Sequence, residues 1–168
     1  MDLYLLRHGE AGKRVPAGAK DAERALTAAG RQEVKEVADG IAELGYKFDL
    51  VVTSPLKRAK DTAVIVNKAI GMKSPPEEWP ELRPESGRSE LYKRLAKLRP
   101  GSAVLCVGHE PYLSGAIGDI AGRDESSSAF RINLKKGGLA KLAITGFNPK
   151  IKGELRWLLT PRQLKRMS

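Results

Sequence analysis

The two histidines of this chain, His8 and His109, each directly follow a short apolar run, and both stand next to residues suited to phosphate chemistry. His8 lies in Leu5-Leu6-Arg7-His8-Gly9-Glu10 and His109 in Val107-Gly108-His109-Glu110-Pro111. A neutral imidazole can attack phosphorus if one ring nitrogen is free while a carbonyl or carboxylate holds the other. Arg7 supplies a guanidinium that can grip a phosphoryl group, and its charge disfavours imidazolium, keeping His8 in its reactive form. Gly9 would let the backbone approach a bound anion closely. Arg58 falls in the first turn of a helix that Ser54-Pro55 introduces, where a cation opposes the helix macrodipole at a cost of ~0.3–1 kcal/mol. A phosphate bound at that helix start would reconcile the two, accepting backbone N–H groups and a bidentate contact from Arg58. The plainer alternative is an arginine paired with Asp61, with Lys57 solvated beside it. His109 can donate a hydrogen bond to a phosphoryl oxygen and, if protonated, add charge stabilisation; its plainer role is to cap a helix.

These side chains need a scaffold that brings distant segments together. Asp2 to Leu6, Asp49 to Thr53 and Ala103 to Val107 are apolar and bounded by turn residues, as buried strands are. Thr27 is a helix N-cap, and Val34, Val37, Ala38, Ile41 and Leu44 form one stripe that ends at Gly45. From Ser54 a second helix carries Ala59, Ala63, Val66 and Ile70 on its inner face up to Gly71. Gly12 to Arg24 has no apolar period and reads as a loop bordering the site. Ser74 to Gly87, with Pro75, Pro76, Pro80 and Pro84, reads as an irregular crossing with room for one short edge strand. Helices are expected over Ser89 to Leu98 and Pro111 to Ala121. Strands are expected over Phe130 to Leu134, Leu139 to Thr145 and Glu154 to Leu159, with Gly137-Gly138 a tight connection. Such alternation predicts a three-layer α/β/α sandwich, its sheet mostly parallel with an antiparallel part near the C-terminus. Ligands of such sheets bind at the carboxyl ends of the strands, where both histidines fall.

Thirty Lys and Arg against twenty Asp and Glu give a net charge of +10, which favours an anionic partner. The basic residues are scattered, without the dense basic helix or interleaved aromatics of a nucleic-acid binder, so no nucleic-acid partner is expected. Cys106, the one cysteine, sits inside an apolar run and is expected to be a buried inert thiol, with no intrachain disulfide. Two histidines and one cysteine match no familiar ligand spacing, so no metal is expected. There is neither a basic leader before a long apolar stretch nor a run able to span a bilayer, so the expectation is a cytoplasmic protein without a membrane partner. One domain over residues 1–168 suits the length.

The three motifs, in this order, resemble the histidine phosphatase superfamily, the phosphoglycerate mutase-like fold, and within it the short phosphohistidine phosphatase (SixA-type) branch. Leu6-Arg7-His8-Gly9-Glu10 is similar to its Arg-His-Gly signature, Ser54-Pro55-Leu56-Lys57-Arg58-Ala59-Lys60-Asp61-Thr62-Ala63 to its second arginine motif, and Val107-Gly108-His109-Glu110-Pro111 to its second histidine motif. Arg24-Ala25-Leu26-Thr27 is similar to the branch's Arg-Pro-Leu-Thr segment, with Ala25 in place of proline. Pro80-Glu81-Leu82 and the tail from Trp157 to Leu164 also resemble that branch. The resemblance implies that His8 is the nucleophile and is phosphorylated, that Arg7, Arg58 and His109 hold the phosphoryl oxygens, with Gly9 and Arg24 as further phosphate contacts, and that water then hydrolyses the intermediate without metal or organic cofactor.

Many members of the superfamily use a carboxylic acid to protonate an alkoxide leaving group, and here Glu81 is the first candidate, ahead of Glu85 and Glu10. Imidazole departs more readily than an alkoxide, so cleavage of an N–P bond depends less on such an acid. The short stretch between the Arg58 helix and the Ala103 strand argues against a mutase. A phosphohistidine on a signalling protein is therefore the expected substrate. The alternatives are a small-molecule phosphomonoesterase and a non-catalytic phosphate-binding module; retention of both histidines and both arginines speaks against the latter.

Overall fold

Residues 1–13, 19–122 and 132–168 are described by the computed structural model. Their elements run β1 (Asp2–Arg7), α1 (Ala19–Ala22), α2 (Ala28–Glu43), β2 (Leu50–Thr53), α3 (Lys57–Ala69), β3 (Glu77–Glu78), α4 (Arg88–Leu95), β4 (Ala103–Gly108), α5 (Tyr112–Ile120), β5 (Leu139–Gly146), β6 (Lys152–Leu159) and α6 (Pro161–Leu164), with a 3₁₀ turn at Pro80–Leu82. The strands form one sheet in the order β3-β2-β4-β1-β5-β6. β3, β2, β4 and β1 are mutually parallel, while β5 and β6 add antiparallel neighbours beside β1.

Strand periodicity divides the core in two. Leu3, Leu5, Val52, Val104 and Cys106 face one way and pack with Leu91, Leu95, Leu113 and Ile117 of α4 and α5. Their alternates Tyr4, Leu6, Val51, Leu105 and Val107 face the other way, against Val34, Val37 and Ile41 of α2 and Ala59, Ala63 and Val66 of α3. Both faces of the central strands are thus covered, which is why these strands read as unbroken apolar runs. The expected three-layer sandwich is the observed one. Gly40 of α2 lies so close to the Leu164 backbone that an added Cβ would collide with it, and this fixes α6 against α2.

Several boundaries differ from the sequence expectations. Helix α3 begins at Lys57, with Leu56 at its N-cap position and no side-chain cap. Ser54 and Pro55 precede it, because the Ser54 hydroxyl is engaged by the Leu56 N–H at 3.3 Å and by His109 at 2.8 Å. A short helix, α1, occupies part of the stretch expected to be all loop. Phe130 and Arg131, the start of one expected strand, lie outside the described residues, and Ile132 to Leu134 form no strand. There the Leu134 carbonyl accepts from Arg7 Nη1 at 2.9 Å rather than from a neighbouring strand. Gly137, at φ +71°, and Gly138 do make a tight turn, but it leads into β5 and hydrogen-bonds the main chain of Arg7.

The register places the strand ends level. Thr53 and Leu6 both stand opposite Val107, and Arg7 opposite Gly108. Just beyond, Ser54 N–H donates to the Val107 carbonyl and His8 N–H to the Gly108 carbonyl, each at 3.0 Å. Ser54, His109 and His8 therefore emerge side by side at the carboxyl edge of β2, β4 and β1.

Candidate active site

At this edge lies a cleft of about 860 Å³ whose lining includes Arg7, His8, Arg24, Arg58 and His109. The two imidazole rings are 4.9 Å apart, centroid to centroid. His8 Nδ1 lies 2.7 Å from the Gly9 carbonyl, an acceptor only, so Nδ1 carries the proton. Its Nε2, left unprotonated, uses its one lone pair to accept from Arg58 Nε at 3.3 Å, so that bond gives way before Nε2 can act as a nucleophile. Burial, followed by the charges of Arg58, Arg7 and Arg24, lowers the His8 pKa to about 3, although the Gly9 hydrogen bond pulls the other way. His8 is consequently neutral at physiological pH. The same causes, with the His8 ring added, bring His109 down to about 2. A protonated His109 is therefore not the resting form, and whatever it offers an anion it offers as a neutral donor.

Two buried nitrogens around these rings, Arg7 Nε and His109 Nδ1, have no partner among the described residues. Groups left unpaired in a buried place are costly unless something arrives to satisfy them. Arg58, 4% exposed, turns toward the strand ends from the first turn of α3. It pairs with Asp21, not Asp61, through Nη2 at 3.2 Å, while Nη1 donates to the Asp21 carbonyl at 3.0 Å. Asp61 is taken by Arg31 instead, at 3.2 Å. Asp21 also holds Arg24 Nε at 3.1 Å, and Arg24 Nη1 donates to the Gly12 carbonyl.

Gly9 has a different role from the one its sequence suggested. It does not line the cleft: its N–H is taken by Thr62 Oγ1, and a Cβ there would run into Val34 of α2. Thr62 also donates to the Arg58 carbonyl at 2.8 Å, tying the residue after His8 to the turn of α3 that carries Arg58. Glu81 is likewise elsewhere, bound by Arg94 Nη1 at 2.9 and 3.1 Å and absent from the cleft wall. Glu85 and Glu10 do line the cleft; Glu10 is paired with Lys136 at 2.9 Å and Glu85 with Arg83 at 3.6 Å.

Sequence reasoning missed Asp21, Thr62 and the Ser54 link to His109. Thr62 was findable, since it lies one helical turn beyond Arg58. Asp21 carries only its spacing to Arg24 as a signal. A second cleft, of about 980 Å³, contains Arg88, Tyr92 and Asp119 but no imidazole, and these three side chains bond one another. Both imidazoles line the first cleft, which is therefore the candidate site. Cys106 is fully buried, which pushes its thiol pKa up and leaves it no reactive form. Among the described residues no group of three or more His, Cys, Asp and Glu is arranged to hold a metal, and no helix is long and apolar enough to cross a membrane.

The family model described as histidine phosphatase superfamily (branch 1) matches residues 3–87, the half of the chain that carries Arg7, His8 and Arg58. The chain belongs to the histidine phosphatase superfamily. An uncharacterized protein of Picosynechococcus sp. is 33% identical to it over 144 residues, 84% of each chain. Phosphohistidine phosphatase SixA of Escherichia coli is 24% identical over 167 residues, covering 98% of this chain and 97% of that one. The solved structure of the protein histidine phosphatase SixA complexed with tungstate superposes with a TM-score of 0.82 at 22% identity, over 98% of this chain and 99% of that one. Over nearly its whole length the chain is thus similar to SixA, and its mixed sheet is the fold of that structure.

Proposed function

We propose that this histidine phosphatase dephosphorylates phosphohistidine on a cytoplasmic signalling protein, through a phosphorylated His8, with residues 1–168 acting as one domain. The observation that carries the proposal is the state of His8: buried and neutral, with Nδ1–H on the Gly9 carbonyl and Nε2 beside Arg58. In the first step His8 Nε2 releases the Arg58 N–H and bonds phosphorus while the substrate's N–P bond breaks, and the departing imidazolate takes a proton from water, whose hydroxide neutralises the proton set free when a second water attacks. The positive charge left on the His8 ring is shared with the Gly9 carbonyl through Nδ1–H. Arg7, Arg58 and His109 hold the three phosphoryl oxygens as charge redistributes, which is the main demand of phosphoryl transfer. Water then attacks phosphorus, the His8 N–P bond breaks, and inorganic phosphate leaves. No step calls on a metal or organic cofactor.

The engagement of Glu81 by Arg94 supports an N–P substrate, because the first-choice acid for an alkoxide leaving group is occupied elsewhere. Glu85 and Glu10 on the cleft wall favour the second reading, a small-molecule phosphomonoesterase in which one of them protonates the leaving oxygen. The test uses a phosphorylated histidine-containing domain and a panel of small phosphoesters, with acid-labile, base-stable phosphoenzyme trapped in wild type and His8→Ala. Adduct in wild type alone and faster turnover of the phosphodomain support the proposal. Rapid turnover of only the esters transfers it to the second reading, and absence of both adduct and turnover refutes both.

A further inference from the structure

We infer that Ser54 is a positioning residue that sets the tautomer of His109, placing the ring proton on Nδ1 so that it can be donated to a phosphoryl oxygen. The inference extends the phosphatase reading above but has a readout that does not depend on it. Ser54 is fully buried at the end of β2, and His109 is 2% exposed at the end of the adjacent β4. A hydroxyl carries one proton and two acceptor lone pairs. One lone pair of Ser54 Oγ accepts the Leu56 N–H at 3.3 Å. The other contact of Ser54 Oγ is His109 Nε2, at 2.8 Å.

Two assignments of that contact are possible, and the bookkeeping separates them. If Nε2 carried the proton and donated to Ser54, the serine's own proton would be buried without an acceptor. Nδ1 would then turn a lone pair, not a donor, toward a bound phosphate. If Ser54 donates to Nε2, the hydroxyl uses its proton and a lone pair together, and the ring proton goes to Nδ1. That atom is buried and has no partner among the described residues, on a ring lining the cleft beside His8 and Arg58. A phosphoryl oxygen completes the second arrangement and clashes with the first. The Leu56 N–H matters here because it occupies the serine oxygen as an acceptor, so the hydroxyl is oriented by the start of α3. The same turn that delivers Arg58 thereby also orients His109.

With only two histidines in the chain, tautomers are directly legible by long-range ¹H–¹⁵N correlation of ¹⁵N-histidine-labelled protein, with His8→Gln used to assign the signals. The low pKa of both rings keeps them neutral at pH 7. In wild type His109 is expected to show a protonated Nδ1 and a bare Nε2; a protonated Nε2 overturns the inference without any variant. Ser54→Ala is expected to move His109 toward the Nε2–H form and to weaken vanadate binding roughly tenfold, with the His8 pattern unchanged. Ser54→Thr, which keeps the hydroxyl, is expected to retain both properties. An unchanged His109 tautomer in Ser54→Ala overturns the inference. Failure of wild type to bind vanadate, with the tautomer as expected, refutes the phosphatase reading and leaves the role of Ser54 in orienting the ring intact.

Discussion

Acidification from pH 7 to pH 5 is expected to cost this fold about 4 kcal/mol through its two active-site imidazoles alone. Both rings are buried, and their pKa values are brought from the ordinary 6.5 down to about 3 for His8 and about 2 for His109. In the unfolded chain each regains the ordinary value. Above pH 6.5 both states are neutral and the histidines contribute nothing to the pH dependence. Below it the unfolded state binds protons that the folded state refuses, so stability falls with pH until the folded values are reached. At 1.36 kcal/mol per unit, the roughly 1.5 units from the ordinary 6.5 down to pH 5 amount to about 2 kcal/mol for each ring. The assay is urea unfolding at both pH values, in buffer free of phosphate and sulfate, of wild type and of the His8→Gln, His109→Gln double variant. Carboxylates contribute equally to both proteins, so the extra loss in wild type isolates the imidazoles. If the double variant loses as much stability as wild type, the rings are not held neutral by the fold and the account of His8 as a resting nucleophile is wrong.

Arg58→Ala is expected to lower kcat with the phosphodomain substrate by roughly 10²–10³-fold, the scale for removal of one preorganised group at a developing charge; single-turnover phosphoenzyme formation checks it, and a loss under tenfold would remove Arg58 from the chemistry. Asp21→Asn removes the carboxylate that competes with phosphate for Arg58 and Arg24, so vanadate measured by calorimetry is expected to bind about tenfold more tightly, a gain of ~1.4 kcal/mol; weaker binding would mean that Asp21 orients the arginines instead. Glu81→Gln is expected to leave kcat within about twofold on all substrates, because this carboxylate serves Arg94 and not the cleft; a tenfold loss confined to phosphoesters would reinstate it as the acid.

Much of this molecule was legible in its residues for one reason: strands covered on both faces leave continuous apolar runs, and the two histidines follow such runs directly. Thr27 likewise caps α2 as its type and position suggest, its side chain accepting from the Gly30 N–H. The failures share a cause too. Ser54-Pro55 has the form of a helix start, yet tertiary contact with His109 draws the serine out of that role and the helix begins later. Ile132 to Leu134 belong to a stretch with the composition of a strand, but the Leu134 carbonyl is committed to Arg7. Gly9 looked like an anion contact and is instead a close-packing position beneath α2. Asp21 and Glu81 are both carboxylates in stretches read as loop; which one approaches the site depends on arginines from other segments, Arg58 in one case and Arg94 in the other. Charge partners chosen across the fold leave no local pattern to read.

The position of β1 within the sheet has a consequence for synthesis. It is central, flanked by β4 over Ala103–Gly108 and by β5 over Leu139–Gly146, and both neighbours lie far downstream. A nascent chain emerging from the ribosome therefore exposes β1 long before either edge of that strand can be hydrogen-bonded, and pairings of such sequence separation form late. His8 is made before its partners, yet it gains His109 as a neighbour only when β4 has docked, and Arg7 acquires its Leu134 anchor later still. A chain translated only as far as β4 cannot yet carry the whole cleft, whose lining reaches Lys136.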